Sequence, residues 1–390
     1  MAVQAPTLRF GIAGVAASMS EARAIMNHPH LSITAAAART RESLDRFASE
    51  FPCDTYQDLE AMFASPNVDA VFIGTPTQLH TEHALMALEH GKHVIVSKPM
   101  AITLDDADRM IQAAERNRVQ LVVGHSQGFE IPVHKIREIV RSGELGRLRM
   151  INTWYYTDWI YRGRAAEELD TSMGGGVAYR QGAHQFDILR LIGGGLVRSV
   201  RAMAGVWDSE HPTEGAYLAF LDFEDGAAAS AIFNGYDHFR TTELGFPIGE
   251  GGQRVREESY AQARIALRAK GEEAAKAEHR FGRQGQRSEA ERYHSFYGLT
   301  IVSCERGDIR QSPDGLLVYG ENEKREVALP KGVTDRDVMV DELYQEVAHD
   351  KPPLHSGRWA KATLEVCLAV LQSGRERREV LLQHQVPTLD

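Results

Sequence analysis

Leu8-Arg9-Phe10-Gly11-Ile12-Ala13-Gly14-Val15-Ala16-Ala17-Ser18 is a short, mostly apolar run that closes on a glycine and passes into small residues. A helical pattern follows from Ser20 to Asn27. Working outward, Leu31 to Ala38 is a second apolar run, followed by a polar helical pattern from Thr40 to Glu50. Ala70 to Ile73 is a third, closed by Gly74-Thr75-Pro76. A helical stretch from Thr81 to His90 stops at Gly91, as helix C-termini commonly do. His93 to Val96 and Leu121 to Val123 complete five strands, with a helix over Leu104 to Asn117 between them. Strands apolar on both faces, alternating with helices, predict a parallel sheet covered on both sides.

Residues 1–125 therefore read as a Rossmann domain, an α/β doubly wound sheet. The turn after the first strand is where such a domain receives a dinucleotide, because backbone N–H groups and a helix N-terminus must approach a pyrophosphate closely. The strict G-x-G-x-x-G is absent: Gly14 stands for the first glycine, Ala16 replaces the second, and Met19 lies near the third. Gly14, Ala16 and Ala17 are the candidate phosphate cradle. After the second strand the chain reads Ala37-Ala38-Arg39-Thr40-Arg41, with no carboxylate for the adenine ribose. Arg39 and Thr40 suit a 2′-phosphate instead, since a guanidinium offers a charge-assisted fork, so NADP is expected over NAD.

Beyond residue 125 the pattern changes. Arg147 to Tyr156, Val200 to Trp207, Tyr217 to Phe223 and Ala227 to Phe233 read as strands without regular helices between them, and Glu224-Asp225-Gly226 is a hairpin signal. Residues 126–390 are thus expected to form an α+β domain on an open antiparallel sheet. Residues 238–297 read as a long excursion covering a site or an interface. Asp341 to Ala348 and Trp359 to Gln372 read as closing helices.

A chain of 390 residues accommodates two domains. The net charge of −10 argues against nucleic-acid or anionic-membrane partners, though a few local cations can still hold an anionic small molecule. Cys53, Cys304 and Cys367 are far apart, and no H-E-x-x-H or other tight metal-ligand spacing is visible, so neither a disulfide framework nor a metal is expected. No signal peptide and no membrane-length apolar run are seen, so a cytoplasmic location is expected.

The most specific stretches are Val71-Phe72-Ile73-Gly74-Thr75-Pro76-Thr77-Gln78-Leu79-His80 and Gly91-Lys92-His93-Val94-Ile95-Val96-Ser97-Lys98-Pro99. Further on come Ser142-Gly143-Glu144-Leu145-Gly146, and Gly174-Gly175-Gly176 with Gly182, His184 and Asp187. These four elements, in this order, resemble the glucose–fructose oxidoreductase / inositol dehydrogenase / MocA family over nearly the whole chain. The resemblance implies an NAD(P)-dependent oxidoreductase acting on CH–OH or CH–CH groups, and a homodimer or homotetramer assembled through the outer sheet face. It also implies that Thr75, Pro76, His80 and Ser97 line the cofactor, that Lys98 sits beside nicotinamide and substrate, and that His184 faces the reacting carbinol. Two departures stand out: Ser97 replaces the glutamate of the E-K-P element, and Arg180 occupies the position where many members carry Asp. Within the family, residues 174–187 and the stretch beginning Asn234-Gly235-Tyr236 resemble the phthalate cis-dihydrodiol dehydrogenases.

Alcohol oxidation needs a carbinol hydrogen held near nicotinamide C4 and a base for the hydroxyl proton. Lys98 and His184 are the catalytic candidates, and Asp187, one turn beyond His184, is a candidate to orient its ring. Arg180 as a bidentate fork points to an anionic substrate. Arg162, Arg164 and His238 are further candidate cations, and Trp159 and Tyr156 candidate stacking rings. The expected reaction is oxidation of a phthalate cis-dihydrodiol to the catechol. The alternatives are a sugar, inositol or sugar-acid dehydrogenase, and a non-catalytic NADP-binding sensor.

Overall fold

The computed structural model describes residues 7–389 except 126, 237, 256–259, 273 and 276–292. The chain divides into two compact units. The first comprises residues 7–129, 333–364 and 389, and the second residues 130–332 and 365–388. The expected division at 125 was a single cut; instead residues 333–364 return to the first unit. No helix among the described residues is long and apolar enough to cross a membrane.

The first unit is built on β1 (Leu8–Ala13), β2 (Leu31–Ala37), β3 (Asp54–Tyr56), β4 (Ala70–Ile73), β5 (His93–Ser97) and β6 (Leu121–Gly124). They form one six-stranded parallel sheet in the order β3-β2-β1-β4-β5-β6. The helices are α1 (Met19–Asn27), α2 (Arg41–Glu50), α3 (Leu59–Phe63), α4 (His80–Glu89) and α5 (Leu104–Asn117). β3 and α3 escape sequence reading because each is too short to show a period. Side-chain caps begin several helices: Thr40 accepts from Ser43 N–H, Asp58 from Glu60 N–H and Thr103 from Asp106 N–H. The core runs from Phe10 and Ile12 through Phe47 and Phe72 to Met339, Leu343 and Tyr344 of the returning helix Asp335–His349. That apolar seam is what keeps residues 333–364 with this unit, since a helix of this kind must bury its stripe.

The second unit carries α6 (Ile131–Ser142), β7 (Leu148–Tyr156), α7 (Gly176–Arg180), α8 (Gly182–Gly193), β8 (Val197–Gly205), β9 (Ala216–Phe223), β10 (Ala228–Asn234) and α9 (Gln262–Lys270). They are followed by β11 (Leu299–Cys304), β12 (Gly307–Ser312), β13 (Gly315–Gly320), β14 (Lys324–Ala328) and β15 (Val380–Leu381). The returning helix is α10 (Asp335–His349), and α11 (Gly357–Glu376) closes the chain's helical content. The sheet order is β14-β13-β12-β11-β7-β10-β9-β8-β15. It is antiparallel as expected, except that β10 runs parallel to β7, pairing Ala231 with Thr153. The four hairpin-linked strands β11–β14 were not read from the sequence.

One sheet face is buried, with Ile151, Thr153, Ala229, Ala231, Phe233, Ala219 and Leu221 pointing inward. Against it lies α8, buried at every position from Gly182 to Gly193. Gln185 fixes that helix: its amide donates to Thr153 Oγ1 and to the Ile232 carbonyl, both at 3.2 Å, and accepts from Tyr217 Oη at 2.6 Å. A fully satisfied buried amide fixes the helix in one place, because any shift would leave polar groups unpaired.

Candidate active site

In the first unit the strand order reverses direction between β1 and β4, and ligands of doubly wound sheets bind at the carboxyl ends beside such a switch. Gly14 follows β1, Gly74-Thr75 follows β4, and Lys98 follows β5, so three neighbouring strand ends carry the expected residues. Gly14 has φ 89°, and a Cβ there would stand 2.8 Å from the Gly74 carbonyl oxygen. Only glycine allows both the left-handed turn and the close approach. Ser18 Oγ donates to the Gly14 carbonyl at 2.9 Å, closing the turn. Ala16 and Ala17 are exposed, leaving a small-residue lip ahead of α1. This geometry fits a dinucleotide pyrophosphate.

The remaining cofactor candidates sort by contact. Thr75 Oγ1 lies 3.0 Å from Nδ1 of His83, whose pKa burial pushes down. Pro76 is exposed at the entry to a short 3-10 turn, Thr77–Leu79. His80 is buried and lies 2.8 Å from the carbonyls of both Thr75 and Pro99. Whichever ring nitrogen carries the proton bonds one of these two strand-end carbonyls. Ser97 ends β5, paired with Gly124, and the following Lys98–Pro99 peptide is cis. Lys98 is half-buried. Arg39 is exposed beyond β2, whereas the Thr40 hydroxyl is taken up as the cap of α2.

In the second unit Arg180 ends α7 and His184 lies in the first turn of α8. Gln181 bridges them with helical bonds to Val177 and Gln185, so the two side chains are four residues apart on a nearly continuous helical path. Gly176, at φ 75°, opens this path: a Cβ would run into the Glu214 carboxylate, which accepts from Ala178 N–H at 3.2 Å. Burial pushes the Glu214 carboxyl up. His184 is buried beside Tyr297, with ring centres 5.4 Å apart, and Tyr297 Oη lies 2.8 Å from Gln181 Oε1. Asp187 is fully buried and helps hold the buried Arg190, whose guanidinium burial, its largest influence, lowers to about 9.

Arg180 was expected as an open fork, but its Nη2 stands 3.1 Å from Glu168 Oε1. Arg164 lies over the Trp159 ring at 3.9 Å and donates to the Trp159 carbonyl at 3.0 and 2.7 Å. Trp159 is buried beneath it, so it backs a guanidinium and offers no open face for a substrate ring. Tyr156 is half-buried, edge-on to Phe239 at 5.5 Å. His238 is exposed, 3.3 Å from Arg264 Nη1. Arg162 pairs with Asp158 at 2.6 Å and Glu250 at 2.7 Å, and Arg240 with Asp158 at 3.2 Å. Burial pushes the Asp158 carboxyl up, but Arg162 and Arg240 overcome this and hold it at about 2. Sequence reading missed Asp158, Glu168, Arg240 and Glu250. The Asp158–Arg162 and Arg164–Glu168 spacings of four were a visible signal; Arg240 and Glu250 had none. Both lie in the segment read as an excursion, whose residues 256–259, 273 and 276–292 fall outside the described residues.

Two family models match: an oxidoreductase family model with an NAD-binding Rossmann fold over residues 8–125, and a GFO/IDH/MocA C-terminal domain over 133–246. The chain is 37% identical over 379 residues to the 1-carboxy-3-chloro-3,4-dihydroxycyclohexa-1,5-diene dehydrogenase of Comamonas testosteroni, covering 94% of this chain and 95% of that one. Among solved structures, a Bordetella bronchiseptica RB50 chain carrying a provisional dehydrogenase name is 41% identical, with a TM-score of 0.91 and coverage of 96% and 100%. The WlbA dehydrogenase of Bordetella pertussis, solved with NADH and UDP-GlcNAcA, shares the fold at a TM-score of 0.71 and 20% identity, over 97% and 99% of the two chains. With both domain models matched and a relative aligned along almost its full length, this chain belongs to the Gfo/Idh/MocA family of oxidoreductases.

Proposed function

We propose that this protein is an NAD(P)-dependent dehydrogenase that oxidises a cis-dihydrodiol of an aromatic carboxylate, phthalate or a close analogue, to the corresponding catechol. The observation carrying this reading is Arg180, a half-exposed guanidinium four residues ahead of His184, in a family member whose relative is named for a carboxylated dihydroxycyclohexadiene. A guanidinium at that place suits a ring carboxylate better than a neutral polyol.

In the overall change one carbinol carbon loses hydride and its hydroxyl loses a proton. The resulting dienone tautomerises to the catechol as its ring C–H proton moves to oxygen. A bound oxidised nicotinamide supplies the hydride acceptor. Lys98 Nζ is assigned to the hydroxyl proton and the developing negative charge on oxygen, and His184 to orienting the carbinol by hydrogen bonding. Rearomatisation makes the net reaction strongly downhill.

NADP is favoured over NAD, because Arg39 is exposed just beyond β2 and no carboxylate follows that strand. A homo-oligomer is favoured by the outer sheet face. There Met203 on β8 and Leu218 and Phe220 on β9 are 69%, 53% and 49% exposed, and Trp154 and Ile232 extend the row through the strand pairing. A contiguous apolar surface of this kind marks a contact face.

The test is the initial rate of nicotinamide reduction with NAD and NADP, each offered phthalate 4,5-cis-dihydrodiol, a benzoate cis-dihydrodiol, inositol and a uronic acid. Turnover of the dihydrodiols alone supports the reading. Turnover of the uronic acid or inositol alone replaces it with a sugar-type dehydrogenase.

A further inference from the structure

Thr75 sits against the turn that a doubly wound sheet offers to a dinucleotide. A Cβ added at Gly14 would stand 2.9 Å from Thr75 N, so the ends of β1 and β4 touch here. Thr75 is half-buried, just beyond β4 where the strand order reverses. Both of its oxygens face histidines of one helix. The carbonyl lies 2.8 Å from His80 Nε2, and Oγ1 lies 3.0 Å from His83 Nδ1. His80 and His83 are three apart on α4, so one helix face turns both rings toward a single residue.

The two contacts act differently. The carbonyl contact needs only backbone, which any residue at this position supplies. The Oγ1 contact needs a hydroxyl, and a hydroxyl has a direction: it donates one proton and accepts through two lone pairs. A partner fixed on one side decides what remains for the other. A ring nitrogen that accepts leaves the lone pairs, and a ring N–H that donates leaves the hydroxyl proton. Ala84, Ala87 and Leu88 seat α4 in the core, so the core rather than the loop sets where the His83 ring stands. Burial lowers the His83 pKa, against a smaller opposite pull from Glu82 on the same helix. At neutral pH the ring is uncharged, and it acts on Thr75 by direction and not by charge.

We propose that His83 is a positioning residue for the nicotinamide cofactor: it fixes the Thr75 hydroxyl, and Thr75 presents the remaining side of that hydroxyl to the dinucleotide. His83 meets no reacting atom and works through Thr75. Its role belongs to cofactor binding by the NAD-binding Rossmann domain, so it holds whatever the substrate. Sequence reading passed over His83, because it lies three residues beyond the Thr75-to-His80 element and only the folded turn brings its ring back to Thr75.

The experiment titrates the full chain with NADH and with NADPH, followed by nicotinamide fluorescence, in the wild type, Thr75→Val, His83→Leu and the double variant. Thr75→Val keeps the branched shape and loses the hydroxyl, and it should raise Kd about fivefold for the cofactor that the wild type binds more tightly, as the loss of one hydrogen bond implies. His83→Leu should raise it about as much. The double variant should bind no more weakly than either single variant, because both substitutions remove one shared interaction. His83→Asn, whose amide offers both a donor and an acceptor, should recover most of the affinity, which a ring that merely fills space would not explain. Thermal unfolding checks that each variant is folded, and His83→Ala takes the place of His83→Leu if the latter is not. Losses that multiply in the double variant overturn the proposal. So does a folded His83→Leu or a Thr75→Val that binds like the wild type, or a His83→Asn as weak as His83→Leu.

Discussion

His80 Nδ1 lies 2.8 Å from the carbonyl oxygen of Pro99, while the opposite ring nitrogen lies 2.8 Å from the carbonyl of Thr75. A neutral ring donates from one nitrogen only: the Nδ1–H tautomer bonds the Pro99 carbonyl in the loop after β5, and the Nε2–H tautomer bonds the Thr75 carbonyl in the loop after β4. His80→Ala should loosen the loop so bonded and cost about 1–3 kcal/mol, the penalty of leaving a buried carbonyl unmet. Thermal unfolding measures the stability, and the KM for the nicotinamide cofactor should rise more than that for the substrate. Equal changes in both would mean the ring supports the fold alone.

Lys98→Met removes the ammonium while keeping the length of the side chain. If Lys98 takes the hydroxyl proton, kcat should fall by about 100-fold or more, the usual contribution of a placed acid–base group. Cofactor affinity, followed by quenching of protein fluorescence, should stay within a few-fold. An enzyme that keeps its rate would remove Lys98 from the chemistry.

If the proposed NADP preference holds, Arg39 is the residue expected to meet the 2′-phosphate. Arg39→Ala should raise the KM for NADP by about tenfold and leave that for NAD nearly unchanged, as the loss of one charge-assisted contact implies. A matching loss with both cofactors would place Arg39 away from the 2′-phosphate.

Asp158 makes the second unit acid-sensitive. Its carboxyl is held at about 2 in the folded chain against an ordinary value of 3.8. A depressed carboxylate contributes stability at pH values above its unfolded pKa, and that contribution is lost as pH falls through the folded one. About 2 kcal/mol should therefore disappear between about pH 4 and pH 2. Urea unfolding across that range measures it. Asp158→Asn should abolish this portion of the acid dependence and destabilise by about 3 kcal/mol at neutral pH, since Arg162 and Arg240 lose a shared buried counter-charge.

Leu218 and Phe220 stand two apart on β9 and therefore share the exposed sheet face. The double variant Leu218→Arg, Phe220→Glu should convert an oligomer to monomer in sedimentation velocity without unfolding it, because neither side chain is in the core. An unchanged sedimentation coefficient would assign the contact to another surface.

Much of this protein is legible locally. Apolar strands alternating with helices reveal the parallel sheet, because a strand buried on both faces leaves a continuous hydrophobic run. Gly14 marks the tight turn after β1, where its left-handed backbone and its approach to Gly74 exclude any side chain. The order of the Thr75, Lys98 and His184 elements reveals the family, since each is a short run with its own spacing.

What tertiary structure decided are the pairings between segments. Sequence reading took Arg180 for an open fork. The partner that changes its meaning, Glu168, lies on a separate short turn, and no periodicity joins the two. Trp159 read as a stacking ring until Arg164 was seen lying over it. The parallel pairing of β7 with β10 and the return of α10 to the first unit follow the same rule. Backbone preference and hydrophobic period act within a few residues and are written along the chain. Charge neutralisation and core closure join residues far apart in sequence, and they are settled only once the chain has folded.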